Sequence, residues 1–147
     1  MRFIRLALVV LALALTGCAS GVKHKDMASA IPALKADSGR VYFFRSASIV
    51  GAAMQPSILL DGTVVGESKP GGFFFVDATA GNHQVSTSTE VEKKVTFTLA
   101  PGETKYVKTS IGLGVLVGRI VPELVSAADA QQELPDLSYT GTLSTAK

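Results

Sequence analysis

The 147-residue chain has few of the side chains that enzymes and metal sites need. Its single cysteine, Cys18, cannot form an internal disulfide. Its two histidines fall short of the three or four closely spaced ligands of a usual zinc site. The chain also lacks the Gly-x-Ser-x-Gly turn of serine hydrolases and any thiol besides Cys18. We therefore expect no metal, no cofactor and no catalytic residues.

The chain also lacks a strong net charge. Its 14 Lys and Arg exceed its 12 Asp and Glu by two, and Arg2 and Arg5 lie in the first 17 residues, which contain no acidic residue. The rest of the chain is formally neutral, so the composition gives no reason to expect nucleic-acid binding. A hydrophobic share of 47% against 18% charged residues excludes a disordered chain and indicates one folded domain.

The N-terminus has the features of an export signal. Arg2 and Arg5 precede an unbroken apolar run at residues 6–15, and small residues follow. A basic stretch, a short apolar run and small residues, in that order, are typical of a secretory signal peptide. Ten residues at 1.5 Å each span only about 15 Å, roughly half a hydrocarbon core, so a transmembrane helix is disfavoured.

The end of this signal is more specific. Leu15-Thr16-Gly17-Cys18 resembles the lipobox of bacterial lipoproteins. The resemblance implies cleavage between Gly17 and Cys18, lipidation of the Cys18 thiol and acylation of the new amine, and two or three acyl chains anchor a protein stably. Ala19 stands where an aspartate typically retains such lipoproteins at the inner membrane. The resemblance therefore implies a lipid anchor in the outer membrane, with the domain in the periplasm.

Four segments follow from these patterns. Residues 1–17 are predicted to be the lipoprotein signal peptide, and residues 18–38 the lipidated cysteine with a flexible tether. Residues 39–137 are predicted to form a β-sandwich, and residues 138–147 a frayed tail. The tether is inferred because no regular hydrophobic period runs through that segment, and His24 within it is expected to be solvated.

The body has the pattern of a mainly β domain. Runs rich in β-branched and aromatic residues recur about every ten residues between turn signals, which predicts a small antiparallel β-sandwich of about seven strands, or a barrel. Asp61-Gly62 between apolar runs predicts a tight hairpin with positive φ at Gly62. Ser126 and Asp129 predict the start of one short C-terminal helix that ends before Pro135. The strands are expected at residues 40–45, 58–60, 63–65, 73–76, 83–89, 95–99, 104–111 and, as an edge strand because of Pro122, 119–125.

The order of these strand and turn signals resembles a known family. The signals are Arg40 to Arg45, Asp61-Gly62 with Gly66, Gly72-Phe73, Ala80-Gly81-Asn82-His83, and Pro101-Gly102 before Tyr106-Val107. They are similar to those of uncharacterised small bacterial lipoproteins with a domain of unknown function, a family itself similar to PEGA-type β-sandwich domains. The similarity covers residues 39–134 and departs at Ala80, where PEGA-type turns usually carry proline. It implies a fold and an envelope location, and it carries over no catalytic residue.

One pair of carboxylates is a candidate for acid–base chemistry. Glu90 and Glu92 would share one face of a strand about 6–7 Å apart, which touches the range of an inverting glycosidase pair. An envelope glycan hydrolase is therefore one alternative function. A charged hairpin with Lys93 and Lys94 is the simpler interpretation, and His83 is expected to be a turn residue. We expect no enzyme.

Apolar residues in two places are candidate contacts with an envelope protein partner. The first group is Leu113, Val115 and Leu116. They lie in a glycine-rich run that is apolar, whereas surface loops are ordinarily polar. The second is Phe74, which the period of two places on the opposite face of the strand from Phe73 and Phe75. Burial on both faces of the sheet is favoured, and exposure of Phe74 as a contact is the alternative.

These patterns favour a lipid-anchored, non-enzymatic binding or structural module of the cell envelope. An accessory or inhibitor subunit of a larger envelope complex is a further alternative to this module.

Overall fold

Two β-sheets pack face to face to form the body. The computed structural model describes residues 19–88, 93–112 and 118–141. The strands are β1 (Ser38–Phe44), β2 (Ser57–Leu60), β3 (Thr63–Glu67), β4 (Gly72–Thr79), β5 (Gly81–Thr87), β6 (Lys93–Leu99), β7 (Thr104–Gly112), β8 (Arg119–Val125) and β9 (Ser138–Tyr139). The helix α1 is Ala127–Glu133, and 3₁₀ turns span His24–Asp26 and Leu134–Asp136.

The strand order confirms a mainly β fold with one short C-terminal helix and adds detail to it. One sheet has the order β8-β7-β1-β4-β9 and the other β3-β2-β5-β6. The sequence predicts an antiparallel sandwich of about seven strands, whereas the described residues form nine strands. Two strand pairs are also parallel, β1 with β7 and β4 with β9. No hairpin joins β1 to β7, because the chain crosses between the sheets after β1, β3, β4 and β6 before β7 pairs with β1. A parallel pair requires a long crossover connection of this kind.

The inner core lies between the two sheets. Because side chains alternate along a strand, every second residue points inward. These residues are Val41, Phe43, Ile58, Leu60, Phe74, Val85, Phe97, Leu99 and Val107. Phe43 and Phe74 are register partners, and their rings stack with centroids 4.9 Å apart. A Cβ at Gly66 would lie 2.5 Å from the Phe74 ring, so the close approach of β3 to this ring requires glycine.

The outer face of the five-stranded sheet is also covered. Tyr42, Phe44 and Phe73 project from this face, and the residues that pack over them are Met27, Ala130, Leu134 and Leu137. Phe73 therefore faces one core and Phe74 the other, as a sheet buried on both faces requires. Phe74 is only 4% exposed, so its side chain is buried, as favoured from the sequence, and is not an exposed contact.

The N-terminal segment forms part of this cover. The amide of His24 donates to the carbonyl of Leu137 at 3.0 Å, and Met27 is buried in the outer core. Over residues 19–38 the structure therefore differs from the flexible tether expected at residues 18–38, because Met27 packs into the outer core. At the start of the tail expected to be frayed over residues 138–147, Ser138–Tyr139 instead pair with β4 as a short parallel strand. Residues 142–147 of that tail lie outside the described residues.

Three local predictions are confirmed. Asp61 and Gly62 have φ of 51° and 80°, as a tight hairpin turn requires. The Ser126 hydroxyl accepts a hydrogen bond from the Asp129 amide at 3.1 Å and so caps α1. Pro122 lies in β8, which is an edge strand of its sheet.

Candidate functional site

Most residues that the sequence singles out lie outside the described residues. They are Gly17, Cys18, Glu90, Glu92, Leu113, Val115 and Leu116. Glycan hydrolysis by the carboxylate pair and a partner contact by the glycine-rich run therefore stay predictions. Lipidation of Cys18 stays a prediction too, and Ala19, the next residue, is the first one described.

His83 joins two turns of the sandwich. It is 9% exposed, with Nδ1 2.6 Å from Oδ2 of Asp61 and Nε2 2.8 Å from the carbonyl oxygen of Thr79. Both partners are acceptors, so only the doubly protonated ring donates to both. Burial acts to lower the pKa of His83, but the bonds to Asp61 and Thr79 outweigh burial and the pKa is raised. Both ring nitrogens are thus engaged within the fold.

Asp61 completes this link. Its other carboxylate oxygen, Oδ1, accepts a hydrogen bond from the Gln84 amide at 2.8 Å. Burial acts to raise the pKa of Asp61, but the bonds from Gln84 and His83 outweigh it and the pKa is lowered. Each member of the pair therefore favours the charged form of the other.

The other histidine lies against the outer core. The His24 ring meets Tyr42 and Phe73 edge-on, with centroid separations of 5.7 and 5.1 Å. Partial burial lowers the pKa of His24. The structure therefore differs from the expected solvated side chain, because the N-terminal segment packs on the sheet.

Arg40 fastens the N-terminal segment to β1 and β4. Its Nε and Nη2 donate to the two carboxylate oxygens of Asp77 at 2.6 and 2.8 Å, and Nη2 also reaches the carbonyl of Pro32 at 2.8 Å. The guanidinium lies 4.6 Å from the centroid of the Phe75 ring. The bond to Asp77 raises the pKa of Arg40. The two-point pairing with Asp77 matches the planar shape of arginine and orients the guanidinium. Its bond to the Pro32 carbonyl then holds the N-terminal segment on the sheet.

Arg45 is buried and organises a loop, which the sequence did not predict. Its Nη1 donates to the carbonyls of Met54 and Ser68 at 2.6 and 3.1 Å, and its Nη2 donates to that of Gly51 at 2.9 Å. Burial lowers the pKa of Arg45. No local sequence signal reveals this role, because an arginine at the end of a strand is ordinarily solvated. The guanidinium fixes the shape of residues 46–56.

The chain enters the folded body at one end of the sandwich. The amide of Ala19 donates to the carbonyl of Pro70 at 3.2 Å. Gly71 and Gly72 separate Ala19 from the loop at residues 46–56. A Cβ added at Gly72 would lie 3.1 Å from the Ala19 methyl, and one at Gly71 would lie 3.4 Å from the Ala47 methyl. We call this the near end of the sandwich, formed by Ala19 and by residues 45–57 and 67–72.

A small cleft opens between the edge strands β3 and β9. Its volume is about 260 Å³, and it is lined by Val65, Gly66, Glu67, Lys69, Phe74, Thr140 and Gly141. Glu67 and Lys69 form an ion pair with a 3.3 Å separation. The cleft is smaller than the 300–1,000 Å³ typical of ligand sites. Its size suits a short side chain and not a whole cofactor.

In residues 19–88, 93–112 and 118–141, no three His, Cys, Asp or Glu side chains are grouped so that they could hold a metal ion. Over the same residues, no helix is long and apolar enough to cross a membrane.

Comparison with known proteins gives a family. The model of the family described as "Protein of unknown function (DUF2846)" matches residues 35–119, which is more than half of the chain. The chain belongs to the DUF2846 family. The DUF2846 match contains β1 to β7 and stops where β8 begins, so it covers the strands of the inner core and leaves out most of the outer cover. The family description confirms a domain of unknown function.

A distant relative shares most of the length of this chain. This DUF2846 chain is 26% identical over 141 residues to an uncharacterized protein of Haemophilus influenzae, covering 92% of this chain and 83% of the relative. No solved structure matches the chain. The likeness to this relative extends beyond the family match toward both termini.

Proposed function

We propose that this protein is a lipid-anchored cell-envelope lipoprotein that acts as a non-enzymatic binding or structural module. The observation that carries the proposal is the position of Ala19. Its amide bonds at the surface of the sandwich, and the lipobox-like Leu15-Thr16-Gly17-Cys18 comes directly before it. A lipid on Cys18 would therefore leave the body at a defined point, the near end.

The roles of the buried ionisable groups support a non-enzymatic module. The Asp61–His83 pair joins turns, Arg40 and Asp77 hold the N-terminal segment, and Arg45 shapes a loop. Each group forms its hydrogen bonds with other groups of the same chain, whereas a catalytic base needs a reacting partner within reach. We propose that the partner is an envelope protein. The lipid anchor of this chain lies in the outer membrane, and its sandwich lies on the periplasmic side.

The likeness to PEGA-type β-sandwich domains is part of the same proposal. The Ala80-Gly81 connection, where Gly81 has a φ of 145°, leads the chain from one sheet to the other and places His83 beside it. A two-sheet sandwich with a histidine just after this connection supports such a relation.

The anchor is tested by Cys18→Ala in the full-length chain. Without the thiol no diacylglyceryl group attaches, so we expect the variant to persist as an uncleaved precursor and to incorporate no radiolabelled fatty acid. Gel mobility and label incorporation in cells measure both effects. Ser20→Ala, two residues further on, is the control and should be labelled and cleaved like wild type. Equal label on Cys18→Ala and wild type would contradict the proposal.

A further inference from the structure

The near end carries an uncharged loop with an exposed apolar tip. Ile49 is 93% exposed and Val50 is 71% exposed. No ionisable residue lies between Arg45 and Asp61 in the sequence, and Ala47, Ala52 and Ala53 add further apolar atoms to the loop. We call residues 46–56 the apolar loop. Two neighbouring β-branched side chains at a protruding tip lose contact with water only if something else covers them.

The apolar loop is held open from inside. The buried guanidinium of Arg45 bonds the carbonyls of Gly51 and Met54, and the amide of Ala52 donates to the carbonyl of Ile49 at 3.1 Å. These bonds fix the backbone on the inner side of the loop and leave the Ile49 and Val50 side chains exposed. Among the described residues no carboxylate pairs with this guanidinium, so backbone carbonyls alone offset the cost of burying its charge. The tip is therefore preorganised, which lowers the entropy cost of contact.

The tip lies beside the point where the chain leaves toward Cys18. Ala19 packs at Gly72 and Ala47 packs at Gly71, so these two alanines lie on adjacent residues of one turn. Successive Cα atoms are 3.8 Å apart, so Ile49 is within about 8 Å of Ala47, and Cys18 is one residue from Ala19. An acyl chain on Cys18 and the Ile49 side chain would thus share one end of the sandwich.

We propose that the apolar loop inserts Ile49 and Val50 into the lipid surface of the membrane that carries the Cys18 anchor. This inference rests on the proposed lipidation. The anchor keeps the loop at the bilayer, so insertion is intramolecular and needs little affinity of its own. Two apolar side chains would not hold a soluble protein on a membrane. In a protein that is already anchored, they are enough to fix the orientation of the domain. The sandwich stands with its near end on the lipid and the Asp61–Gly62 hairpin pointing away.

The test uses the lipidated protein purified from membranes and reconstituted into phosphatidylethanolamine–phosphatidylglycerol vesicles. An environment-sensitive dye is attached next to the tip, through the thiol of Ser48→Cys. Only this thiol reacts with the dye, because the lipid blocks the thiol of Cys18. We expect a blue shift and quenching by a lipid-borne spin label. The double variant Ile49→Ser/Val50→Ser in the same background should lose both signals. Val64→Ser, an exposed valine (59%) on β3 near the Asp61–Gly62 hairpin, should keep them.

Each outcome is decisive. A protein that floats with the vesicles while its Ser48 dye keeps a water-like spectrum overturns the docking and leaves the anchor intact. A protein that does not float overturns the anchor and the docking with it. A shift that occurs in native membranes and is missing in pure lipid assigns the tip to a protein partner, which also overturns lipid insertion.

Discussion

The Asp61–His83 pair is the most informative interaction at the scale of single residues. It ties the β2–β3 turn to the start of β5, and the His83 ring also packs beside Phe97 at a centroid distance of 5.9 Å. The Asp61 side chain is about half exposed, so solvent screens the charge interaction and its contribution to stability is modest. The pair is informative because it predicts how the stability of the fold changes with pH.

The pair predicts a pH window of stability. The pKa of His83 is raised above its ordinary 6.5, so its stabilisation is complete below about pH 6.5 and is lost as pH rises through the raised value. The pKa of Asp61 is lowered, so its stabilisation is present above about pH 4 and is lost as pH falls through the lowered value. Urea unfolding from about pH 5.5 to pH 8.5 should therefore show wild type losing more stability than Asp61→Asn.

Asparagine keeps the Oδ1 acceptor and tolerates the positive φ at position 61, so this variant removes mainly the charge. His24→Phe is the control, because it keeps the ring contacts with Tyr42 and Phe73 and leaves the pair intact. It should retain the loss of stability with rising pH. Parallel pH profiles of wild type and Asp61→Asn would contradict the claim that the Asp61 carboxylate raises the pKa of His83.

At the scale of elements, the β2–β3 hairpin depends on the backbone at its turn. Gly62 has a φ of 80°, and a Cβ added there would meet no atom within 4 Å. A substitution at this position is therefore limited by backbone strain and not by a clash. Side chains differ in how well they accept that strain, which permits a matched pair of variants.

Gly62→Val should lower the free energy of unfolding by about 1–3 kcal/mol, because a β-branched residue strongly disfavours positive φ. Gly62→Asn should cost clearly less, since asparagine visits this region routinely. Thermal and urea melts of the two variants measure the difference. Equal losses would mean that the cost arises from something other than the backbone conformation of the turn.

Elements with local causes could be predicted from the sequence, and elements with distant causes could not. Asp61-Gly62 predicts its turn, Ser126 its helix cap and Pro122 its edge position, because each effect acts within a few residues. The parallel pairing of β1 with β7 has no such signal, since Ala80-Gly81 looks the same whether it ends a hairpin or crosses between sheets. The near end has no local signal either, because Arg45 bonds the carbonyls of Gly51, Met54 and Ser68 and sequence spacing does not show that contact.

At the scale of the whole molecule, the protein has two hydrophobic cores on the two faces of one sheet. The inner core is built from strands within the family match at residues 35–119. The cover of the outer core comes from both ends of the chain, with Met27 on one side and α1 with Leu134 and Leu137 on the other. The isolated bridge between Lys23 and Ser138 joins these two ends directly. The N-terminal segment is therefore part of the folded body and also leads to the proposed anchor.

This arrangement predicts that the N-terminal segment contributes to global stability. Met27→Ala removes a side chain that is 2% exposed in the outer core, and the loss of buried area with the cavity left behind should cost about 2–5 kcal/mol. Val22→Ala, an exposed position five residues earlier in the same segment, should change stability by less than about 0.5 kcal/mol. Urea melts of the two variants decide the matter. If both leave the midpoint unchanged, the segment does not belong to the cooperative unit, and the outer face of the sheet is stable without it.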